Sequence, residues 1–415
     1  MNQTIRKRIE DINKGIVPEG YKQTIVGVCP VEWEEHTLAD FLQFKNGLNK
    51  EKSAFGSGTP IVNYTDVWKK RGLREKDIIG RVQLSQNEIN NYEAREGDVF
   101  FTRTSETIDE IGFSSVLLES VDNAVFSGFV LRGRPYNDMV VKEYHQYCYS
   151  SDLMRSEIKK RSSMTTRALT SGPMLSEVSI NLPSKPEQSK IAEILMKWDE
   201  AIELQEEFLH TLEIKRMAIL QSFFSKEKCS NWIKLSDYVK EVSNRNNIGC
   251  QNVKSVSNKN GFIDQSSQFS KQVASEDVSK YKVVTKDCVA YNPSRINVGS
   301  IAIYNEDIPG IVSPMYVVFK CVNMDPRFLL LLLETARGKY EVKSYLSGSV
   351  RDSLAFEDLK SIELAVPPKE RWGEIVDILN IIDAQYSLYN DKLSFLKRQR
   401  KALQQYLLNG IVRVK

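Results

Sequence analysis

Basic and hydroxyl side chains are concentrated in one stretch of the chain, RSEIKKRSSMTTRALTSG at residues 155 to 172. It holds five basic residues against one acid. Arg and Lys hydrogen-bond to base edges of DNA, with Ser and Thr alongside, and cations also hold phosphates. Flanking Gly and Ser favour a flexible loop over a buried segment. We therefore expect DNA contacts here, from Lys159, Lys160, Arg161, Thr165, Thr166 and Arg167.

Two shorter stretches, FTRTSE at 101 to 106 and YNPSRIN at 291 to 297, combine an arginine with hydroxyl or amide side chains. Each follows a run typical of a β-strand, so its polar side chains would lie at a strand end. They add six candidate DNA contacts: Arg103, Thr104, Ser105, Asn292, Arg295 and Asn297. An ordinary polar turn explains both stretches equally well. For a third patch, KNGLNKEKS at 45 to 53, a solvated loop is the better explanation.

The chain lacks the motifs of enzymes that modify or cut DNA. A methyltransferase needs a cofactor-binding glycine loop and an Asn-Pro-Pro-aromatic motif, but YNPSR lacks the second proline and the aromatic residue. No G-x-x-x-x-G-K-[ST] motif occurs, and no Pro-Asp pair is present to start a metal-dependent nuclease motif. Six cysteines without a C-x-x-C pair, beside three histidines, argue against a zinc site. We expect no catalytic residue and no metal in this chain.

The composition is that of a globular protein, with 41% hydrophobic and 27% charged residues. At 415 residues the chain is long enough for two domains. No apolar run reaches the roughly 18 residues of a membrane span, and the N-terminus lacks the apolar stretch of a secretory signal. We expect a reduced, cytoplasmic protein. Because 57 basic and 54 acidic residues nearly cancel, DNA binding must come from local patches or from a partner.

The second half of the chain repeats the first. LPSKPEQSKIAEILMKWDEAIE at 182 to 203 returns in weakened form as LAVPPKERWGEIVDILNIIDAQ at 364 to 385. The offset of 184 then persists without a gap, and it pairs Asp199 with Asp383 and Arg216 with Arg400. Two matching helices are therefore predicted, from about 186 to 224 and from about 370 to 408.

Shorter matches precede each helix in the same order. GDVFFTRTS at 97 to 105 resembles KDCVAYNPS at 286 to 294, and SGFVLR at 127 to 132 resembles SPMYVVFK at 313 to 320. In KSYLSGSVRDSL, Arg351 lies at the offset of Arg167, which makes it a further candidate DNA contact.

Each half of the chain is predicted to be a mixed α/β or α+β domain followed by one long helix. Short Val, Ile and Phe-rich runs predict strands, and shorter helices are expected at 144 to 163 and 326 to 346. The predicted organisation is a first globular domain with an N-terminal arm, a central helix, a second globular domain and a C-terminal helix, at residues 1 to 184, 185 to 226, 227 to 366 and 367 to 415.

Both long helices carry a heptad seam, in which apolar residues recur in steps of four and three. Gln205 and Arg216 interrupt the first seam, and Arg400 is the one charged position of the second. The apolar seam includes Ile191, Leu195, Trp198, Ile202, Leu209, Leu212, Ile375, Leu379, Ile382, Leu393, Leu396 and Leu403. Two equal seams separated by a globular domain most simply pack together as an antiparallel pair. Alternatively, each helix covers only its own domain.

A helix pair of this length would act as a ruler. Thirty-nine residues at about 1.5 Å each span roughly 58 Å, or on the order of 17 base pairs of duplex. The end of the chain, from Lys392 to Lys415, has seven basic residues and no acid. These cations could touch the DNA backbone, but cations near the end of a helix are also what its macrodipole favours.

Two variable globular domains, each followed by a helix that opens on LPSKPEQSKIAEIL or its weakened copy, resemble the specificity subunits of type I restriction-modification systems, the HsdS family. The resemblance covers the whole chain and is most specific at LPSKPEQSKIAEIL and Asp199. VGVCPVEWEEHTL at 26 to 38 and GDVFFTRTS are also similar to that family. The second copy departs from the signature, with PKERWGEIVDIL in its place.

The resemblance implies a non-catalytic subunit with two target recognition domains, each reading one half of a bipartite double-stranded DNA sequence. The conserved helices of such proteins form an antiparallel coiled coil that sets the spacer and docks two methyltransferase (M) subunits, and restriction (R) subunits join that core. S-adenosylmethionine would belong to the methyltransferase, and ATP and Mg²⁺ to the restriction subunit. Two similar domains with divergent loops can approach duplex alike and still read different half-sites.

A coiled-coil scaffold whose globular domains bind other proteins is the alternative from a different functional class. The two classes differ in their binding to DNA. A specificity subunit should bind duplex strongly only together with its methyltransferase, whereas a scaffold would leave no DNA footprint in either state.

Overall fold

The computed structural model describes residues 3–258, 261–265, 277–346 and 353–414. The chain divides into two compact units. Unit 1 contains residues 1–205 and 392–415, and unit 2 contains residues 206–391. Each unit therefore includes a segment of both long helices beside its own strands and short helices.

The predicted pair of long helices is confirmed, at 39 and 37 residues. In chain order the helices are α1 Gln3–Asn13, α2 Tyr64–Lys69, α3 Gln86–Asn91, α4 Asp152–Lys160, α5 Gly172–Ser176, α6 Lys185–Phe223, α7 Pro326–Glu334, α8 Ala336–Leu346, α9 Phe356–Ser361 and α10 Trp372–Leu408. Within the described residues, no helix is both long enough and apolar enough to cross a membrane.

The two shorter helices predicted from the sequence are each interrupted. Between 144 and 163, the regular helix α4 begins only after Ser151, whose hydroxyl accepts a hydrogen bond from the Met154 amide at 3.2 Å. Between 326 and 346, Thr335 separates α7 from α8. Its hydroxyl donates to the Leu332 carbonyl and accepts from the Gly338 amide, so the side chain replaces the helical backbone bonds at the break.

Unit 1 is organised around a mainly antiparallel five-stranded sheet. Its strands are β1 Tyr21–Gln23, β2 Val28–Pro30, β3 Glu34–Thr37, β4 Leu42–Asn46, β5 Phe55–Val62, β6 Gly72–Leu73, β7 Arg81–Val82, β8 Val99–Thr102, β9 Thr104–Ser105, β10 Ser114–Leu117, β11 Val125–Phe126, β12 Val130–Pro135, β13 Ser163–Met164, β14 Ala168–Leu169 and β15 Ser179–Leu182. The order in the large sheet is β4-β12-β8-β10-β6, and β15 pairs with β3. Leu407 and Leu408 of α10 join its main hydrophobic core.

Unit 2 reproduces this plan, with fewer strands among the residues that the structure describes. They are β16 Asn231–Lys234, β17 Val239–Glu241, β18 Lys254–Ser257, β19 Gly261–Asp264, β20 Lys282–Val284, β21 Cys288–Tyr291, β22 Ile301–Ile303, β23 Gly310–Val312, β24 Val317–Cys321 and β25 Glu363–Val366. The sheet order β17-β24-β21-β22 matches β4-β12-β8-β10, and β16 pairs with β25 as β3 pairs with β15. The mixed α/β prediction is confirmed, and the antiparallel ladders make each unit α+β.

In unit 2 the segments of α6 and α10 run in opposite directions. The Phe208 ring packs edge-on against Tyr389, with ring centroids 4.6 Å apart. Further along α6, Glu213 accepts a hydrogen bond from the Tyr386 hydroxyl at 2.8 Å. Residue numbers therefore rise along one helix as they fall along the other.

Unit 1 shows the same direction of pairing. Glu187, in the first turn of α6, accepts from Arg413 just beyond α10, at 2.6 and 2.8 Å. Asp199, three turns further, accepts from Arg400 of α10 at 2.8 and 3.0 Å. Arg400, the charged position of the second seam, is only 5% exposed. Its charge is therefore paired with Asp199 inside the protein, and the helices stay in contact at this position.

The first turns of α6 and α10 keep one hydrogen bond although the sequence signature is weakened in the second copy. In unit 1 the side-chain amide of Gln188 donates from Nε2 to the Pro183 carbonyl at 2.9 Å. The residue at the same offset in unit 2 is Trp372, and its indole N–H donates to the Pro367 carbonyl at 3.0 Å. The hydrogen bond is kept while the side chain changes. Trp372 also stacks on Phe328 at 4.5 Å, so this entrance is held by aromatic packing as well.

Candidate nucleic-acid interface

The two predicted DNA-contact stretches of unit 1 come together in one small antiparallel sheet. Strand β14 pairs with β13 on one side and β9 on the other, which places Leu169 opposite Thr104. The Thr170 amide donates to the Arg103 carbonyl at 2.9 Å, extending the pairing by one residue. The stretches 101 to 106 and 155 to 172 thus form a single surface.

The tip of the β13–β14 hairpin is formed by polar side chains that point to solvent. Thr165, Thr166 and Arg167 are exposed, and the Thr165 amide donates to the Arg167 carbonyl at 3.3 Å to close the turn. Residues 163 to 171 include no acid, so the exposed guanidinium has no carboxylate beside it in the hairpin. The arrangement can offer hydrogen bonds and a positive charge to an anionic ligand.

Arg103 is held at the base of this hairpin. Its side chain is half-buried, and one terminal nitrogen makes a long hydrogen bond to the Gly128 carbonyl at 3.4 Å. Within the described residues, its buried Nε has no hydrogen-bond partner. Because Nε is buried, a ligand that accepts hydrogen bonds could reach only the terminal guanidinium nitrogens.

The cations near the end of α4 are engaged by acids of unit 1. Lys159 pairs with Asp109 at 3.0 Å, and Lys160 lies 3.7 Å from Glu157. Arg161 bonds Glu177 at 2.8 Å. A phosphate would have to compete with these carboxylates, so the three cations are weaker candidates than Arg167.

Two side chains that were predicted to contact DNA are hydrogen-bonded within the protein. Ser105 is 7% exposed, and its hydroxyl donates to the Thr107 carbonyl. Asn292 is 7% exposed, and its side-chain oxygen accepts from the Ser294 amide at 3.1 Å. Both side chains shape the turn that follows a core strand, so a DNA contact from either one would require it to give up this bond. In a short loop, the sequence does not distinguish a turn-forming side chain from an outward one.

In unit 2 the exposed candidates are Arg295 and Asn297, which lie in the turn after β21. Arg103 directly follows β8, and the residue that directly follows β21 is Asn292, so Arg295 and Asn297 lie further along their turn. Arg351, the predicted counterpart of Arg167, lies outside the described residues.

The basic end of the chain is only partly available to a ligand. Arg400 is bound to Asp199, and Arg413 is bound to Glu187 and, at 2.7 Å, to Glu32. The prediction of a phosphate contact is therefore not supported for these two arginines. Lys401 remains exposed.

Sequence reasoning missed the apolar side chains of this surface and the third polar loop. Phe129 belongs to the apolar run SGFVLR, yet it is 63% exposed beside Arg103. The loop at 45 to 53, interpreted from the sequence as a solvated loop, is bonded to this surface, since the Gly128 amide donates to the Leu48 carbonyl at 2.7 Å. The two glycines of KNG and SGF carried the signal, since a Cβ on Gly47 would lie 2.1 Å from the Ser127 carbonyl oxygen.

Residues 30–213 and 237–398 match the family described as the type I restriction modification DNA specificity domain. The chain belongs to this family. It is 23% identical over 434 aligned residues to the putative type I restriction enzyme MjaX specificity subunit of Methanocaldococcus jannaschii, covering 96% of this chain and 97% of that protein. It is 24% identical over 197 residues to the EcoKI specificity subunit of Escherichia coli, covering 46% of this chain and 42% of that one.

Solved specificity-subunit structures have the same fold. The S subunit of the type I restriction-modification system of M. genitalium superposes with a TM-score of 0.55 at 15% identity, covering 90% of this chain and 96% of that one. A chain from a structure that addresses complex assembly and conformational transition of a type I system gives 0.53 at 15% identity, covering 92% and 99%.

As a type I specificity subunit, the protein serves DNA target recognition. The hairpin and loops of unit 1 and the turn after β21 in unit 2 are then the surfaces to test for DNA contact. Within the described residues, no group of three or more His, Cys, Asp or Glu side chains could hold a metal ion.

Proposed function

We propose that the protein is the non-catalytic DNA-reading subunit of a type I restriction-modification complex, and that its two units each read one half of a bipartite double-stranded target. The observation that carries the proposal is the duplicated match to the DNA specificity domain, at 30–213 and 237–398. Each copy includes one of the candidate surfaces.

The long helices are proposed to form an antiparallel coiled coil that sets the spacer between the half-sites. The opposite directions of α6 and α10 within each unit support this arrangement. At about 1.5 Å per residue, a helix of 39 residues is roughly 58 Å long, on the scale of a split site with its spacer.

The same helices are proposed to dock two methyltransferase subunits, with restriction subunits joining that core. S-adenosylmethionine would be held by the methyltransferase, and ATP and Mg²⁺ by the restriction subunit, so this chain would direct adenine methylation and cleavage without taking part in the chemistry. Candidate DNA contacts are Arg103, Thr104, Thr165, Thr166, Arg167, Arg295 and Asn297, with the paired cations Lys159, Lys160 and Arg161 in support.

The test is a methylome. The chain is co-expressed with the methyltransferase encoded beside it in a bacterial host without DNA methylation, and modified adenines are mapped by single-molecule sequencing. We expect a motif of two short half-sites around a fixed unspecified gap, which disappears when this chain is omitted. Exchanging residues 1 to 184 for the equivalent part of another specificity subunit should change one half-site only. Methylation that does not depend on the chain would favour the scaffold function.

A further inference from the structure

Exposed apolar side chains lie on the same edge of unit 1 as the candidate DNA contacts. Phe129 is 63% exposed, Met164 52% and Leu169 38%. Single exposed apolar residues are ordinary on protein surfaces. Here, however, Met164 and Leu169 belong to the hairpin itself, and the Phe129 carbonyl accepts from the Arg103 amide at 3.0 Å.

The backbone that carries Phe129 is fixed on both sides. Ser127 to Val130 form a turn, in which the Val130 amide donates to the Ser127 carbonyl at 3.0 Å and the Phe129 amide to the Ser127 hydroxyl at 3.3 Å. Gly128 is packed so closely that an added Cβ would lie 2.0 Å from Oδ1 of Asn49. A rigid turn thus presents a phenyl ring at low entropic cost.

Unit 2 has a similar turn. The Tyr316 amide donates to the Ser313 carbonyl at 3.0 Å, directly before β24. Met315 occupies the third position of this turn, as Phe129 does in unit 1, and is 57% exposed. In both units a large apolar side chain is therefore exposed in the turn that precedes the strand paired with β8 or β21.

We propose that Phe129 reads a thymine in the first half-site through contact with its 5-methyl group, and that Met315 is its counterpart in unit 2. This rests on the proposed function. In the major groove the base edges offer hydrogen-bond donors and acceptors, and the thymine methyl is the apolar group among them. Arg103 and Thr104 can satisfy the polar atoms, whereas a phenyl ring cannot.

The experiment uses the complete complex with its methyltransferase and the duplex identified by the methylome. Each thymine of the first half-site, on either strand, is replaced in turn by deoxyuridine, which removes only the methyl group. Binding is measured for the wild type, Phe129→Ala and the matched control Ile25→Ala, whose residue is 64% exposed on the turn between β1 and β2.

One deoxyuridine position is expected to weaken wild-type binding by about fourfold, the effect of losing one buried methyl group. Phe129→Ala should weaken binding to the thymine duplex by at least as much and should no longer respond to that replacement. Ile25→Ala should respond as the wild type does, and binding at the second half-site should remain intact in all three proteins.

The inference is overturned if the first half-site contains no thymine on either strand, or if deoxyuridine is neutral at every position. It is also overturned if Phe129→Ala keeps the wild-type response. If Phe129→Ala lowers the unfolding midpoint of unit 1, Phe129→Leu, which keeps an apolar contact, replaces it and should retain most of the binding. If the wild-type complex shows no sequence-specific binding, the proposed function itself fails.

Discussion

Asp199 is where the contact between α6 and α10 can be tested most directly in unit 1. Its carboxylate accepts hydrogen bonds from Arg400 at 2.8 and 3.0 Å and from the Tyr147 hydroxyl at 2.9 Å. Because Arg400 is 5% exposed, Asp199→Ala leaves a nearly buried guanidinium without its anion. Gln404 remains as an acceptor for it.

The expected cost follows from the burial of the two partners. Removing one partner of a fully buried ion pair costs about 3–5 kcal/mol. The Asp199 side chain is 34% exposed, so water can reach the vacated position, and the lower end of that range applies. A loss of about 3 kcal/mol corresponds to a midpoint of thermal unfolding lower by roughly 6–12 °C for a unit of this size.

The duplicated chain supplies its own comparison. Asp383 is the counterpart of Asp199, but its side chain is 47% exposed and that of its partner Arg216 is 20% exposed. Arg216 also keeps a second carboxylate, Glu334, at 2.6 Å. Asp383→Ala should therefore cost only about 1 kcal/mol in unit 2, by the range for exposed pairs.

Scanning calorimetry of the full chain, fitted with one transition for each unit, measures both effects. Lys197→Ala is the control, because it removes a pair with Glu193 in which both side chains are more than 60% exposed, and it should leave both unfolding transitions unchanged. Equal losses from the Asp199 and Asp383 variants would refute the argument from burial. Partial recovery in a double variant, Asp199→Arg with Arg400→Asp, would support a direct pair.

Two further predictions concern recognition and pH. Arg167→Ala and Arg295→Ala should each weaken target binding by about 1–3 kcal/mol and relax the base preference of one half-site only, as read by the methylome; a change in both half-sites from either variant would contradict separate reading. Burial lowers the pKa of His145 to about 3, whereas the pKa in the unfolded chain is about 6.5. Between these two values the unfolded state binds one more proton than the folded state. As the pH falls below about 6.5, unit 1 therefore loses up to about 1.4 kcal/mol of stability per pH unit. Unfolding midpoints from pH 7 to 5 should fall more steeply for the wild type than for His145→Gln, and equal slopes would exclude this role.

The long helices could be predicted because they depend on local periodicity, which a sequence displays directly. The seam at Ile191 and Leu195, for example, is fully buried, as the heptad pattern indicates. Periodicity does not show which residue pairs with a charged seam position. Arg216 interrupts the apolar seam in the sequence, and in the structure it is bonded to Asp383.

The candidate DNA surface was predictable in part, for a different physical reason. The composition of 155 to 172 indicates hydrogen-bonding capacity, and the exposed Arg167 agrees with that indication. Composition does not say which hydroxyls turn inward, as that of Ser105 does. Nor does it reveal that a residue in an apolar run is left outside the core, as Phe129 is, because the turn at Ser127 rotates the chain before the strand begins.

The exchange of partners between the repeats has an evolutionary consequence. Asp199 and Arg216 lie 17 positions apart on one continuous helix, about 26 Å, so neither can reach the other. Asp199 is paired with Arg400, which is the counterpart of Arg216 in the second copy. Arg216 is paired with Asp383, which is the counterpart of Asp199. A half-length ancestor could have matched these charges only by associating with another molecule of itself. Fusion of two such genes would have preserved both charge pairs from the start, and afterwards each copy was free to change its loops without disturbing the charges it shares with the other.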